Sequence, residues 1–285
     1  EQLEKDGHFV IGIDNFSHAS LHPYRKKVKY GDVRYRDSVD NLVESADIVI
    51  HCAAQIHVDK SISNPQETID VNIGGTFNVL EACKKYGKKL IFASSSEVYG
   101  TAQTDTIDET HPLDAQSPYA ASKVAGDRLC KAYNDTYGMD VAILRNFNTF
   151  GSYQAHGGEG SSYGAVIGIF TRQALAGESL TIFGDGLQER DYMFVDDAVE
   201  AYKSVAGFKG VYNAGTGITV QIIDLARLII KLTDSKSIIE HLDNRPGEVR
   251  RLICNSTKIR QLGWKPNVLF EDGLKKYIDW YKTNT

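Results

Sequence analysis

Four short apolar runs, each separated from the next by polar or helical sequence, set the strongest limit on what this chain can fold into. They are HFVIGID at 8–14, DIVIHCAA at 47–54, KLIFASS at 89–95 and VAILRNF at 141–147. Near-continuous apolar strands suit a sheet buried on both faces, and strands that alternate with helices pair in parallel through crossover connections. The pattern therefore reads as an α/β fold on a parallel sheet covered on both faces. Helices are expected over 37–46, 65–86 and 117–137, and a short strand over 28–30. Residues 1–5 read as the last turn of a helix, with Gly7 as its C′ glycine.

After Gly151 the texture changes to smaller elements and longer loops. A Gly/Ser stretch at 156–164 reads as a mobile loop. Helices are expected over 165–176, 196–205, 220–233 and 270–281, a strand over 180–183, and a short helix closed by Leu262-Gly263-Trp264-Lys265-Pro266. No internal repeat is visible. With 285 residues, 42% hydrophobic and 24% charged, the chain has the make-up of an ordinary globular protein. Its net charge of −5 argues against a broad nucleic-acid surface, and Arg25-Lys26-Lys27 reads as a solvated turn. No apolar stretch of about 18 residues suggests a membrane span. Cys52, Cys83, Cys130 and Cys254 lie in apolar segments without metal-type spacing, so buried free thiols in a reducing, cytoplasmic compartment are expected.

The chemistry concentrates in Ser-Pro-Tyr-Ala-Ala-Ser-Lys at 117–123. Tyr119 and Lys123 are four residues apart, on one face of the expected helix. An ammonium beside a phenol is expected to lower its pKa from about 10. Such a phenol suits a base that takes the proton from an alcohol while hydride leaves the same carbon. Ser94-Ser95-Ser96-Glu97 ends a strand upstream. Asp14, also at a strand end, suits the ribose hydroxyls of NAD and would repel the extra phosphate of NADP. Asp32 and Val33, after the next strand, are candidates to face the adenine. His51-Cys52-Ala53-Ala54 ends a third strand with residues small enough for a cofactor to approach. His57, His111 and His156 show no partner pattern and read as structural or solvated.

Taken together these pieces resemble the extended short-chain dehydrogenase/reductase superfamily, in its nucleotide-sugar epimerase/dehydratase branch. The matching segments are Asp14, Gly31-Asp32, HCAA at 51–54, DVNIGGTFNVLEAC around Asn72, SSSEVYG at 94–100, SPYAASK at 117–123, RNFNTFG at 145–151, RDYMFVDD at 190–197 and RPGE at 245–248. The resemblance implies a Rossmann-like, doubly wound parallel sheet. Residues 1–150 would form the NAD-binding domain, and 151–285 mostly a smaller nucleotide-sugar-binding lobe, with some segments returning to the sheet. One departure is clear: the first strand and Gly-rich turn of such folds would be expected about 20 residues or fewer before Glu1.

By this resemblance Tyr119 would be the base, Lys123 would hold the nicotinamide ribose, and Ser95 would hydrogen-bond the reacting oxygen. Ser96 and Asn148 would contact the sugar or diphosphate, Arg190 and Arg245 would hold the diphosphate, and Glu248 would meet the nucleotide ribose. Asn72 would fix helix geometry near the site. The partners implied are NAD, a nucleotide-diphosphate sugar, and a second copy of the chain docked through the helices at 65–86 and 117–137.

The common first step would oxidise the sugar at C4. A 4-epimerase then needs only return of the hydride to the other face. A 4,6-dehydratase must also remove the C5 proton and expel the C6 hydroxyl, and Glu97 is a suitable base for that proton. Glu97, two residues after Ser95, would share its face if the strand continues. The run Ser95-Ser96-Glu97 is closest to the Thr-Ser-Glu form of dehydratases and of UDP-glucuronate decarboxylases, which favours a 4,6-dehydratase. A 4-epimerase, then a decarboxylase, then a non-catalytic nucleotide-binding protein on the same fold are the alternatives.

Overall fold

The computed structural model describes residues 1–17, 27–154, 166–243 and 250–284. The loop expected at 156–164, Arg25, Lys26, Arg245 and Glu248 lie outside the described residues. The apolar runs form parallel strands: β1 Ile13–Asp14, β2 Lys29–Tyr30, β3 Ile48–His51, β4 Lys89–Ser95 and β5 Val141–Asn146. A further strand, Gly210–Ala214, pairs in parallel with β5, giving a sheet ordered Gly210–Ala214, β5, β4, β3. This strand was not expected, because Gly, Asn and Ala dilute its strand signal. It returns the second half of the chain to the sheet.

Side chains alternate across β4 and β5 with period two. Leu90, Phe92, Val141 and Ile143 pack with Leu80, Cys83, Cys130 and Tyr133 from two helices on one face. Ile91, Ala142 and Leu144 pack with Ala198, Ala201 and Trp264 on the other. The α/β expectation therefore holds, with helices on both faces. A separate cluster around Phe150, Phe170, Leu180, Ile229 and Tyr277 forms the core of the second half.

Two expectations need correction at the β1 and β3 edges. The run at 8–14 is not a buried strand: only Ile13–Asp14 forms a ladder, pairing with β2, and Phe9 is 90% exposed. On β3, Ile48 and Ile50 are also exposed. Apolar side chains are buried only where something packs on them, and no described residue covers these edges. The β1–β2 pair and the four-stranded sheet share no ladder among the described residues. Cys52, at the end of β3, is consequently exposed, whereas Cys83, Cys130 and Cys254 are buried free thiols as expected.

The helix expected over 65–86 is three consecutive pieces. Pro65–Ile69 and Gly75–Tyr86 flank a π-helical turn, Asp70–Gly74. A helix at Val58–Ser63 precedes them and was not anticipated. The expected helix at 220–233 opens instead with a strand, Thr219–Gln221, before Ile222–Thr233. The helix Pro118–Tyr137 follows its sequence signals closely: Ser117 caps Ala120 N at 3.1 Å, Pro118 occupies the first turn, and Gly138 closes it at φ 66°. No helix among the described residues is long and apolar enough to cross a membrane.

Candidate active site

β4 delivers Ser95 to the carboxyl end of the sheet, where ligands bind in open α/β folds. The strand stops there. Ser96–Tyr99 is a 3₁₀ turn, and Ser95 caps it by accepting a hydrogen bond from Glu97 N at 3.2 Å. Glu97 thus reaches the site on a turn, not by strand alternation as expected, because the capping serine ends the extended backbone. Gly100 closes the turn at φ 61°, where an added Cβ would lie 1.9 Å from the Asp114 carbonyl oxygen.

A cleft of about 700 Å³ opens above this turn. Ser95, Ser96, Glu97, Tyr119, Asn148 and Arg190 all line it, brought together from four separate segments. Ser95 lies close enough to the Tyr119 phenol to lower its pKa by hydrogen bonding. Burial outweighs this, and the Glu97 carboxylate adds to it, so the phenol is pushed up to about 12. The expectation that Lys123 lowers this pKa is therefore not met. Lys123 is 5% exposed, and its Nζ donates to the Ala93 carbonyl on β4 at 2.8 Å, above the Phe92 ring. Burial brings its pKa down to about 8, partly offset by Cys52, Asp127 and Cys130.

Burial also pushes Glu97 above the ordinary carboxylate range, and the Arg190 guanidinium offsets part of that rise. Arg190 sits in the strand Glu189–Asp191, its Nη1 donating to the Glu189 carbonyl at 3.0 Å. Asn148 adopts a positive φ of 23°, a region that asparagine tolerates, and its Nδ2 donates to the Asp191 carbonyl at 2.9 Å. Asp191 itself is fully buried. Its carboxylate accepts from Thr216 N and Oγ1, Gly217 N and Cys254 N, which ties down the strand that carries Arg190. The sequence motif RDYMFVDD contained this residue but gave no sign of its role.

Asn72 was expected to fix geometry, and its contacts are of that kind. From the π turn its Nδ2 donates to the Gln55 carbonyl at 2.9 Å and to Ser122 Oγ at 2.8 Å, while Oδ1 accepts from Gln55 N at 2.7 Å. One side chain thereby ties the loop after β3 to the helix bearing Tyr119. His111 is held by Gln103 N and the Pro112 carbonyl, His57 lines the cleft, and His156 lies outside the described residues.

The residues assigned to the dinucleotide are spread along the sheet edge. Asp14 ends β1 and accepts from Phe16 N at 2.7 Å. Asp32 is buried, and Arg34 and Asn15 hold both its oxygens, with Arg34 Nη2 at 2.7 Å; the arginine holds its carboxyl down at about 2. Val33 is buried and packs into the helix layer. Ala53 and Ala54 follow β3 on a loop. Lys123 tests the fit of NAD to this chain: a buried ammonium has three donors, and the hydrogen bond to Ala93 uses one. The remainder suit ribose hydroxyls beside Tyr119, so the nicotinamide end of a dinucleotide is matched by the residues present.

Ser95, Tyr119 and a buried lysine thus lie together at the carboxyl edge of a parallel sheet, where open α/β folds bind ligands. The comparisons supply the class. A sequence model described as "NAD dependent epimerase/dehydratase family" matches residues 1–215, and the chain belongs to that family. The family's cofactor is NAD. The chain is 35% identical over 290 residues to a putative UDP-glucose 4-epimerase of Methanocaldococcus jannaschii, covering 100% of this chain and 94% of that one. It is 37% identical over 264 residues to a dTDP-glucose 4,6-dehydratase of Xanthomonas campestris, covering 84% of this chain and 73% of the relative. The crystal structure of Thermus thermophilus UDP-glucose 4-epimerase in complex with NAD superimposes with a TM-score of 0.92 at 29% identity, covering 100% of this chain and 94% of that one.

Proposed function

We propose that the protein is an NAD-dependent nucleotide-sugar 4,6-dehydratase acting through a 4-keto sugar. The observation that carries this reading is Glu97, a carboxylate with a raised pKa, on the same cleft as Tyr119 and Ser95. Bound NAD would supply the hydride acceptor, the later hydride donor, and a positive ring charge beside the phenol. Lys123 would hold its ribose, and Asp14 the ribose at its far end.

Ser95 hydrogen-bonds the sugar C4 oxygen, and Tyr119 takes the hydroxyl proton as hydride leaves that carbon. The new ketone acidifies the C5 proton. Glu97 removes it, and the C6 hydroxyl takes a proton from solvent and departs as water; once hydride is returned to C6, Glu97 gives a proton back to C5. Arg190 and Asn148, with Arg245, hold the diphosphate and sugar, and Glu248 the nucleotide ribose; guanidinium forks suit phosphate oxygens.

Ser96 favours a second reading, a 4-epimerase. It is a hydroxyl where a dehydratase of the Thr-Asp-Glu form has an acid to protonate the leaving hydroxyl. Incubation with UDP-, dTDP-, GDP- and CDP-glucose, read by mass spectrometry, separates the two. Loss of one water supports the dehydratase, and a product of unchanged mass the epimerase.

A further inference from the structure

A buried hydrogen-bonded chain ties the turn that carries Glu97 to three other elements. Tyr99 ends that turn, Ser96–Tyr99, two residues after Glu97. Its side chain is fully buried, and the reaction described above makes no use of it. The hydroxyl donates to Asn213 Oδ1 at 2.6 Å and accepts from Arg145 Nη1 at 2.8 Å. Asn213 lies on the strand Gly210–Ala214, and Arg145 on β5. Through Nε and Nη2 the same guanidinium pairs with Asp127 Oδ2, both at 2.6 Å. Asp127 belongs to the helix Pro118–Tyr137, about two turns beyond Tyr119. One arginine therefore bonds both the turn bearing Glu97 and the helix bearing Tyr119. All four side chains are buried, where a satisfied polar network holds its members most firmly.

Ser95 and Glu97 are not held alike. Ser95 is the last residue of β4 and lies in the ladder opposite Asn146 of β5. Glu97 lies beyond the ladder. Its N–H donates to Ser95 Oγ at 3.2 Å and its carbonyl accepts from Gly100 N at 3.3 Å, both at the long end for such bonds. The far end of the turn is fixed by the Val98 carbonyl, which accepts from Asp114 N at 3.1 Å, and by the Tyr99 hydroxyl. We infer that Tyr99 is a positioning residue for the reaction: its hydroxyl, clamped between Arg145 and Asn213, sets where the Glu97 carboxylate stands relative to the Tyr119 phenol. The inference rests on Glu97 being the C5 base of the proposed dehydration. A phenylalanine of the same shape could not do this. Arg145 Nη1 would be left with the Glu109 carbonyl at 3.4 Å, and Asn213 Oδ1 would lose this donor. Loosening the clamp releases the turn from Glu97 onward. Ser95 stays in its ladder and Tyr119 on its helix, so oxidation at C4 and removal of the C5 proton respond differently.

The test is Tyr99→Phe, with Asn213→Leu releasing the hydroxyl from its other side and carrying the same prediction should the first variant not fold. Without substrate, backbone amide exchange should quicken about tenfold or more at Glu97 and Gly100, while the amides of β4 keep their protection. In single turnovers of a nucleotide-linked glucose, hydride transfer from C4 is followed by the absorbance of reduced nicotinamide, and water loss by mass. Hydride transfer and KM should stay within about twofold of the wild type while water loss falls about tenfold to a hundredfold. Equal losses in both steps, or lost protection across β4, would show general destabilisation and overturn the inference. So would unaltered water loss, or failure of both variants to fold. A wild type that loses no water from any nucleotide sugar refutes the dehydratase reading and the inference with it. Water loss in the wild type with an unshifted ratio of the two steps in the variants refutes the inference alone.

Discussion

At the scale of single residues, the proposed base is the Tyr119 phenol, and its surroundings are not those that spacing alone suggests. Position i+4 places Lys123 on the right face, but its Nζ is drawn to the Ala93 carbonyl, because a buried ammonium must find an acceptor. A hydrogen bond made by the backbone of another strand cannot be read from a helical repeat. Tyr119→Phe should reduce turnover by about 10²–10⁴-fold while nucleotide-sugar binding measured by calorimetry persists. Retained turnover would remove Tyr119 from the base role. Glu97 works as a base only when ionised, and burial raises its pKa above 4.5. Water loss should therefore increase with pH through a limb above the ordinary carboxylate range. Glu97→Gln should abolish water loss yet leave hydride exchange at C4, checked by isotope exchange into recovered substrate. Unimpaired dehydration in this variant would contradict the assignment.

At the scale of elements, legibility followed how locally each signal is written. β4, β5 and the helix Pro118–Tyr137 were plain in the sequence, through apolar runs, a Ser-Pro start and a glycine stop. The π turn at Asp70–Gly74 was not, since its residues are unremarkable and its cause is tertiary: Asn72 bonds Gln55 and Ser122 on either side. The candidate residues Ser95, Glu97, Tyr119 and Arg190 were legible as types, whereas Asp191 braces its strand by being buried, which a single acidic letter does not announce. The approach of the tyrosine helix to β4 depends on Gly126, where an added Cβ would lie 2.5 Å from the Phe92 ring. Gly126→Ala should cost about 1–3 kcal/mol in chemical denaturation and lower turnover by shifting Tyr119 from Ser95. A variant as stable and active as the wild type would show that this contact does not set the site.

At the scale of the whole molecule, two faces of the sheet serve different purposes. One is sealed by Val195–Val205 and Trp264. The other carries helices whose outer surface keeps Ile62, Ile69 and Phe77 exposed. A second copy packed there would cover them, so sedimentation should give a homodimer, and Ile69→Glu should weaken it; a monomer at micromolar concentration would refute this. The account as a whole turns on where a hydride travels. A nucleotide-linked glucose deuterated at C4 should lose one water and return the label at C6, read by NMR of the isolated product. An isomeric sugar with deuterium still at C4 would contradict the dehydratase assignment, and a substrate recovered unchanged from every nucleotide series would contradict the oxidation at C4 itself.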